Sequence, residues 1–473
     1  MNKFYQILWI FLAFVPVQAK VKLPSLIGDC MVLQQNSDVL IWGKAAPGKN
    51  VLVATSWIRG HRMVKVNSQG NWEAVIHTPA ASLKEYSITL SDGEPVTLKH
   101  ILIGEVWLCT GQSNMVMPLK GFDYCPVYKS NEVIADASNH PAIRLITLKP
   151  KVSLEPRDTT EGDWKICSSE NAPNFSAVAY HYALALQNSL HIPVGIIVAA
   201  WGGSRVEGWL PKEILQTYQN ESLDMSDKDK RPVYLRPMLM YNALLYPCRK
   251  YAIKGFIWYQ GESNVTSSQT YAERLVTMVS HWRKLWKRDD LPFYMVEIAP
   301  FACGYKKDGL IGALLREAQY KASLLISHCG LVGTNDLVEE NEYPQVHPSH
   351  KKEIGERLAY LSLSKQYGHK ELEIEYPAYA GMKIARDTIS VSFQHADRGL
   401  SPWVNIQGFE VSGNDKVFYP ATAVLDSKEH TVIVSSEKVT APVAVRYCFR
   451  NFLKGNLVGM GNLPVRPFRS DNW

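Results

Sequence analysis

The residues able to do chemistry in this chain stand at the ends of apolar runs. Ser113 follows one such run, residues 101–109, in Thr110-Gly-Gln-Ser-Asn-Met115. A serine hydroxyl is a weak nucleophile and needs an imidazole within hydrogen-bond reach to accept its proton. His347, in Val346-His-Pro-Ser-His350, is the natural base. The oxyanion formed by attack on a carbonyl needs fixed donors. Candidates are the Ser113 amide, an amide of Gly202 or Gly203 in Trp201-Gly-Gly-Ser204, and the side-chain amide of Gln260 or Asn264 in Gln260-Gly-Glu-Ser-Asn264. Gln112, Asn114, Arg205 and Glu262 are candidates for binding substrate. Glu262 would repel an oxyanion, so it is expected to pair with Arg205 or to hold substrate hydroxyls. Singly, each residue has an ordinary structural role: a serine after a strand is commonly an N-cap, Gly-Gly a turn, and a histidine a satisfied polar group. Glu207 with Glu262 is the carboxylate pair a glycosidase would use instead. The spacing of His347 and His350 hints at a metal, but Pro348 and the missing carboxylate or cysteine partners argue against zinc, and no cofactor is expected.

These residues meet only if a fold gathers positions more than two hundred apart. Strand-like runs at 101–109, 194–198, 254–259, 292–297 and 330–333 alternate with helical runs at 176–190, 310–326 and 349–363. In a further helix Leu275, Met278, Val279, Trp282 and Trp286 share one face. Such alternation means right-handed crossovers and a parallel sheet covered on both faces, and five strands fit a flavodoxin-like three-layer α/β/α fold. Ser113, Gly202, Gln260 and Asp336 then follow the carboxyl ends of strands, the rim at which open parallel sheets bind ligands. Trp201, Trp209, Trp258 and Tyr259 could stack on a sugar, although Trp258, inside a strand, is expected in the core. This α/β domain is expected to occupy 101–375. Residues 20–100 and 376–473 read instead as short alternating strands, with turn signals such as Pro47-Gly48 and Asp92-Gly93 in the first of them. Each is expected to form a β-sandwich-like module.

Residues 1–19 carry Lys3, an apolar run at 7–17 and a Val17-Gln-Ala19 ending, the pattern of a secretory signal. Cleavage after Ala19 and a periplasmic or secreted product are expected. No later segment approaches the ~20 apolar residues of a membrane helix, so no stable membrane span is expected. Lys and Arg number 51 against 45 Asp and Glu, without a basic run, which gives no case for nucleic acid. Eight cysteines are scattered without a C-x-x-C pair, against a zinc ribbon or a thioredoxin-like motif.

Taken together, Gly104-Glu-Val-Trp-Leu-Cys-Thr-Gly-Gln-Ser-Asn-Met115, Trp201-Gly-Gly-Ser204, Trp258-Tyr-Gln-Gly-Glu-Ser-Asn264 and Val346-His-Pro-Ser-His-Lys351 resemble the motifs of the sialate O-acetylesterases, within the SGNH hydrolase superfamily. The resemblance extends to Cys30-Met-Val-Leu-Gln34 and to Pro467-Phe-Arg-Ser-Asp-Asn-Trp473, nearly the whole chain beyond the signal. It implies a serine esterase that removes acetyl groups from sugar hydroxyls, sialic acid first, with Ser113 as nucleophile and His347 as base. It further implies a glycine and a side-chain amide in the oxyanion hole. The same machinery would serve acetylated xylan or another glycan, and a spent catalytic domain would leave a carbohydrate-binding protein. One departure stands out: many SGNH enzymes have an acid three residues before the histidine, where this chain has Pro344, with Gln345 next to it. Asp336, which follows the fifth strand and precedes His347 by 11 positions, is the substitute expected to orient the imidazole. A backbone carbonyl in that place would leave a Ser-His dyad. In either case turnover is expected to fall as pH drops through the histidine range near ~6.5.

Overall fold

The computed structural model of the protein describes residues 21–226 and 230–473. The expected signal at 1–19 lies outside the described residues. A mostly parallel sheet runs through the centre in the order Cys329–Val332, Phe293–Val296, Gly255–Tyr259, Pro95–Gly111, Val194–Ala200, Ile143–Thr147 and Trp164–Ile166. Every neighbouring pair is parallel except the last, which is antiparallel. All five expected strands are present. The sixth parallel strand, Ile143–Thr147, was not expected, because Pro141 and the charged Arg144 interrupt the apolar pattern. Arg144 is buried all the same, with its guanidinium on the Pro141 carbonyl and 3.5 Å from Glu85.

Alternation along the central strand sorts side chains to two faces. Trp107 and Cys109 pack with Val178, Tyr182, Ile354 and Leu358 of the helices Ala177–Leu190 and Lys351–Gln366. Val106 and Leu108 belong to the other core, with Leu275, Met278, Trp282 and Leu315 of the helices Ser268–Trp286 and Ile311–Leu325. The predicted apolar face of the long helix is thus the face that meets the sheet. Ser176 caps Ala177–Leu190 by accepting from the Ala179 amide, which sets where that helix begins. Trp209, Trp258 and Tyr259 are fully buried in these cores, so of the four aromatic residues considered for sugar stacking only Trp201 is partly exposed.

The strand Pro95–Gly111 is 17 residues long and includes position 100, where His100 has φ 56° and the pairing with Ser82–Ser91 shifts register. Its first half pairs antiparallel with Ser82–Ser91, and its middle takes Val32–Gln34 as a parallel neighbour. The strands Val32–Gln34, Asn50–Thr55, His61–Lys65 and Ser82–Ser91 therefore join the central sheet in one 11-stranded sheet, while Asp38–Lys44 and Asn71–His77 pair apart from it. Composition changes at Ile101, from half-exposed alternation to continuous burial, directly after that shift. Near the carboxyl end two four-stranded antiparallel sheets enclose a separate core that includes Ile389, Val391, Val411, Val434 and Val445. All eight cysteines are free, and among the described residues no helix is long and apolar enough to cross a membrane.

Candidate active site

Three strands deliver their ends to one place. Gly111 is in register with Ala200 on one side and Tyr259 on the other, so the residues that follow all three emerge at one edge. The sheet order turns outward in both directions from this central strand, which opens a crevice at the rim. Gly111 has φ +132°, and a Cβ there would lie 2.1 Å from the Tyr259 carbonyl oxygen. Only glycine fits that approach. Gly111→Ala is expected to destabilise the protein by more than about 1 kcal/mol in denaturant unfolding, and an unchanged midpoint would contradict the close approach.

Past Gly111 the chain turns into the short helix Ser113–Val116, whose N-cap is Gln112. Gln112 is buried, and its side-chain oxygen accepts from the amides of Gly261 and Ser263. That oxygen clamps the loop after Gly255–Tyr259. Ser113 is half-buried and begins the helical turn, so its amide has no acceptor within the helix. Gly202 lies against it: a Cβ on Gly202 would stand 3.6 Å from the Ser113 Cβ. Gly203, at φ +73°, serves the turn and carries the Tyr234 ring against its Cα.

His347 enters from the loop before Lys351–Gln366. Its ring meets Phe122 edge-on, with centroids 5.3 Å apart. Nδ1 lies 3.9 Å from Cys125 Sγ, and the thiol donates to the Gln345 side-chain oxygen at 3.3 Å. A sulfur that donates onward is left to accept from Nδ1–H, which makes Nε2 the lone-pair nitrogen. Nε2 is buried and has no hydrogen-bond partner. Burial first, and the nearby Lys351 ammonium second, lower the His347 pKa to about 4. A ring so placed is neutral at physiological pH and able to accept a proton.

Asn114 ties these parts together. It is completely buried, and its amide donates to Glu262 Oε1 and, at 2.9 Å, to the Val346 carbonyl. Its oxygen accepts from Lys351 Nζ at 2.6 Å. Asn114, like Gln112, was a substrate candidate and is instead internal. Glu262 was expected against Arg205; it sits on Asn114, with Oε2 buried and unpartnered, and burial raises its pKa.

Residues 103–364 match the family described as carbohydrate esterase, sialic acid-specific acetylesterase. The chain belongs to this family. It is a carboxylic ester hydrolase. Human sialate O-acetylesterase is 24% identical over 383 residues, an alignment that covers 75% of this chain and 72% of the human one. The mouse sialate O-acetylesterase is also 24% identical, over 409 residues and 75% of each chain. A carbohydrate acetylesterase from Xanthomonas citri superposes with a TM-score of 0.84 at 31% identity, covering 96% of this chain and all of that one.

Within this esterase several expected residues do work away from Ser113. The Gln260 amide donates to the Ser204 carbonyl and to Asn264 Oδ1, and its oxygen accepts from Tyr271. The Asn264 amide donates to both oxygens of Glu207. Both donors are committed to the interior, so neither reaches an oxyanion at Ser113. Glu207 is fully buried, with Arg205 at 3.1 Å and Arg274 in contact. Arg205 is thereby held by Glu207 and not by Glu262. Both carboxylates a glycosidase would need are buried, Glu207 against Arg205 and Arg274 and Glu262 against Asn114.

Asp336 is not on His347 either. Both its oxygens are held by the Arg357 guanidinium, at 2.8 and 2.6 Å, and Arg357 also reaches the Gly333 carbonyl. Such a fork-on-fork pair is stronger than a single bond to a neutral imidazole, which explains where the carboxylate goes. Asp336→Asn is expected to keep turnover within about tenfold of the parent while lowering the melting temperature, because Arg357 loses its charge partner. A loss approaching ~10⁴-fold would instead mean that Asp336 serves the base directly.

Residues not anticipated from sequence also face the site: Phe122 and Cys125 beside His347, Tyr234 on Gly203, and Lys351 under Asn114. Lys351 did carry a signal. It is the first residue of a helix, where the macrodipole disfavours a cation, and it follows His347 by four positions.

Proposed function

We propose that the protein removes O-acetyl groups from sialic acids by a serine mechanism in which Ser113 and His347 act as a pair. The observation that carries the reading is the orphaned Nε2 of His347, a buried acceptor on the loop that Asn114 fastens to the Ser113 turn. Ser113 Oγ attacks the acetyl carbonyl carbon as Nε2 takes its proton, and the oxyanion is met by the backbone amides of Ser113 and Gly202. The intermediate collapses when the bond to the sugar oxygen breaks and His347 returns the proton to that oxygen. Water then attacks the acetyl-serine, with His347 again as base, and acetate leaves. The thiol of Cys125 with Gln345 takes the orienting place that an acid would fill at Nδ1. No step uses a metal or cofactor.

The scaffold reads as a flavodoxin-like α/β/α domain over 101–375, between β-modules at 20–100 and 376–473, on a product exported through the signal at 1–19. Tyr234 and Trp201, both partly exposed, border the Gly202-Gly203 turn and can face the sugar. The test is acetate release from O-acetylated sialosides alongside acetylated xylo-oligosaccharides. Higher kcat/KM on the sialosides supports the reading. Preference for the xylo-oligosaccharides would move the substrate to plant polysaccharide, and no release from either would move it to another acetylated glycan.

A further inference from the structure

Ser113 and His347 sit on loops 234 positions apart, and no hydrogen bond joins the two side chains. What spans the loops is Asn114. One of its amide bonds reaches Glu262, after the Gly255–Tyr259 strand, and the other holds the Val346 carbonyl, one residue before the base. An amide can be turned end for end, and the wrong orientation would aim its oxygen at both acceptors. Lys351 removes that choice. Its ammonium has only donors, it is completely buried, and at 2.6 Å from Oδ1 it allows the orientation with NH₂ toward Glu262 and Val346 alone. The ammonium also lies 5.7 Å from the centroid of the Tyr259 ring, at the end of the neighbouring strand.

We propose, resting on the Ser113 and His347 mechanism above, that Lys351 is a positioning residue for ester hydrolysis: by fixing the Asn114 amide it locks the serine turn, the Glu262 loop and the histidine loop at reacting distance. The charged and titratable groups around it are Glu262, Glu342 and Cys125, with His347 in the adjoining wall. Burial lowers the Lys351 pKa to about 7 while Glu262 and Glu342 oppose the shift, and its charge is one of the two causes that keep His347 neutral. Lys351 therefore acts on the base twice, through a hydrogen-bond chain and through the field.

A role as mere charge partner of Glu262 makes a different prediction. Lys351→Met keeps the length of the side chain and removes the charge. Lys351→Met with Glu262→Gln removes both charges, so that no buried carboxylate is left unpaired. Both are assayed on nitrophenyl acetate across pH, with folding followed by circular dichroism. The expected result in the folded double variant is kcat lower by about 10²-fold with KM little changed, since small misplacement of reacting groups has that effect. The acid limb of kcat/KM is expected to move to higher pH as the cation beside His347 disappears. Recovery of parental kcat in the double variant, or an unmoved acid limb, overturns the proposal. A folded Ser113→Ala control that keeps its turnover overturns the serine mechanism beneath it, so the two failures are told apart.

Discussion

Ser113→Ala is expected to lower acetate release by roughly 10⁴- to 10⁶-fold while leaving the melting temperature unchanged, since members of a nucleophile and base unit are lost together. The second half of that expectation separates the catalytic reading from the structural one. A serine after a strand is commonly an N-cap whose hydroxyl satisfies an amide of the first turn, and its removal then costs about 1 kcal/mol. Here the N-cap is Gln112, and no side chain caps the turn. The hydroxyl supports nothing around it. Alanine retains the backbone, the clamp made by Gln112 and the whole Asn114 network, so folding has no reason to suffer. The two amides proposed for the oxyanion also stay, and a small residual rate above that of water is expected. Thermal unfolding with single-turnover kinetics on an acetylated sialoside tests both halves. Parental turnover in the folded variant would end the case for a serine enzyme.

The parts of the site legible in the sequence are those fixed by backbone chemistry. Ser113 could be placed because an apolar run that stops at a glycine must turn, and Gly202 because two glycines after a strand admit close approach. His347 could be placed by chemistry, as the imidazole nearest the end of the last crossover. Side-chain allegiance was not legible. Gln260 and Asn264 are amides of the right type at the right rim, yet each had an acceptor that only packing reveals: Ser204 across the crevice for one, Glu207 for the other. Asp336 failed for the same reason, because Arg357 lies 21 positions later but directly opposite once its helix docks. The fold followed the same rule. Apolar period located five parallel strands, but Ile143–Thr147 escaped since its Arg144 is neutralised by Glu85 from a distant strand. Position 100 lies inside the long strand, where exposure gives way to burial and the pairing with Ser82–Ser91 shifts register.

His347→Ala is expected to cost as much turnover as Ser113→Ala, and the parent enzyme is expected to keep its full rate to lower pH than an ordinary histidine would allow. Only the neutral ring can take the serine proton, so kcat/KM falls about tenfold per pH unit below the pKa of the free enzyme. A solvated imidazole would place that limb near ~6.5. Burial beside Phe122 and the Lys351 charge carry it down to about 4, so the rate should be level from about pH 7, near which Lys351 itself begins to lose its charge, to about pH 5 and decline beneath that. Folding responds with a definite sign in the same window. The folded pKa lies below the unfolded one, so as pH falls from ~6.5 the unfolded chain takes up the proton first and stability declines until about pH 4. His181, lowered to about 4 chiefly by burial, adds a decline of the same sign. Circular dichroism at each pH therefore has to accompany the rates, so that loss of fold is not read as titration of the base. A limb near 6.5 in a folded parent enzyme would mean that water reaches the ring and that the wall built by Phe122 and Cys125 opens in solution. Turnover surviving in folded His347→Ala would assign the proton to another acceptor altogether. Since Nε2 is the orphaned nitrogen on the loop tied to Ser113, that outcome would require the loops to part at the Asn114 and Val346 contact before reaction.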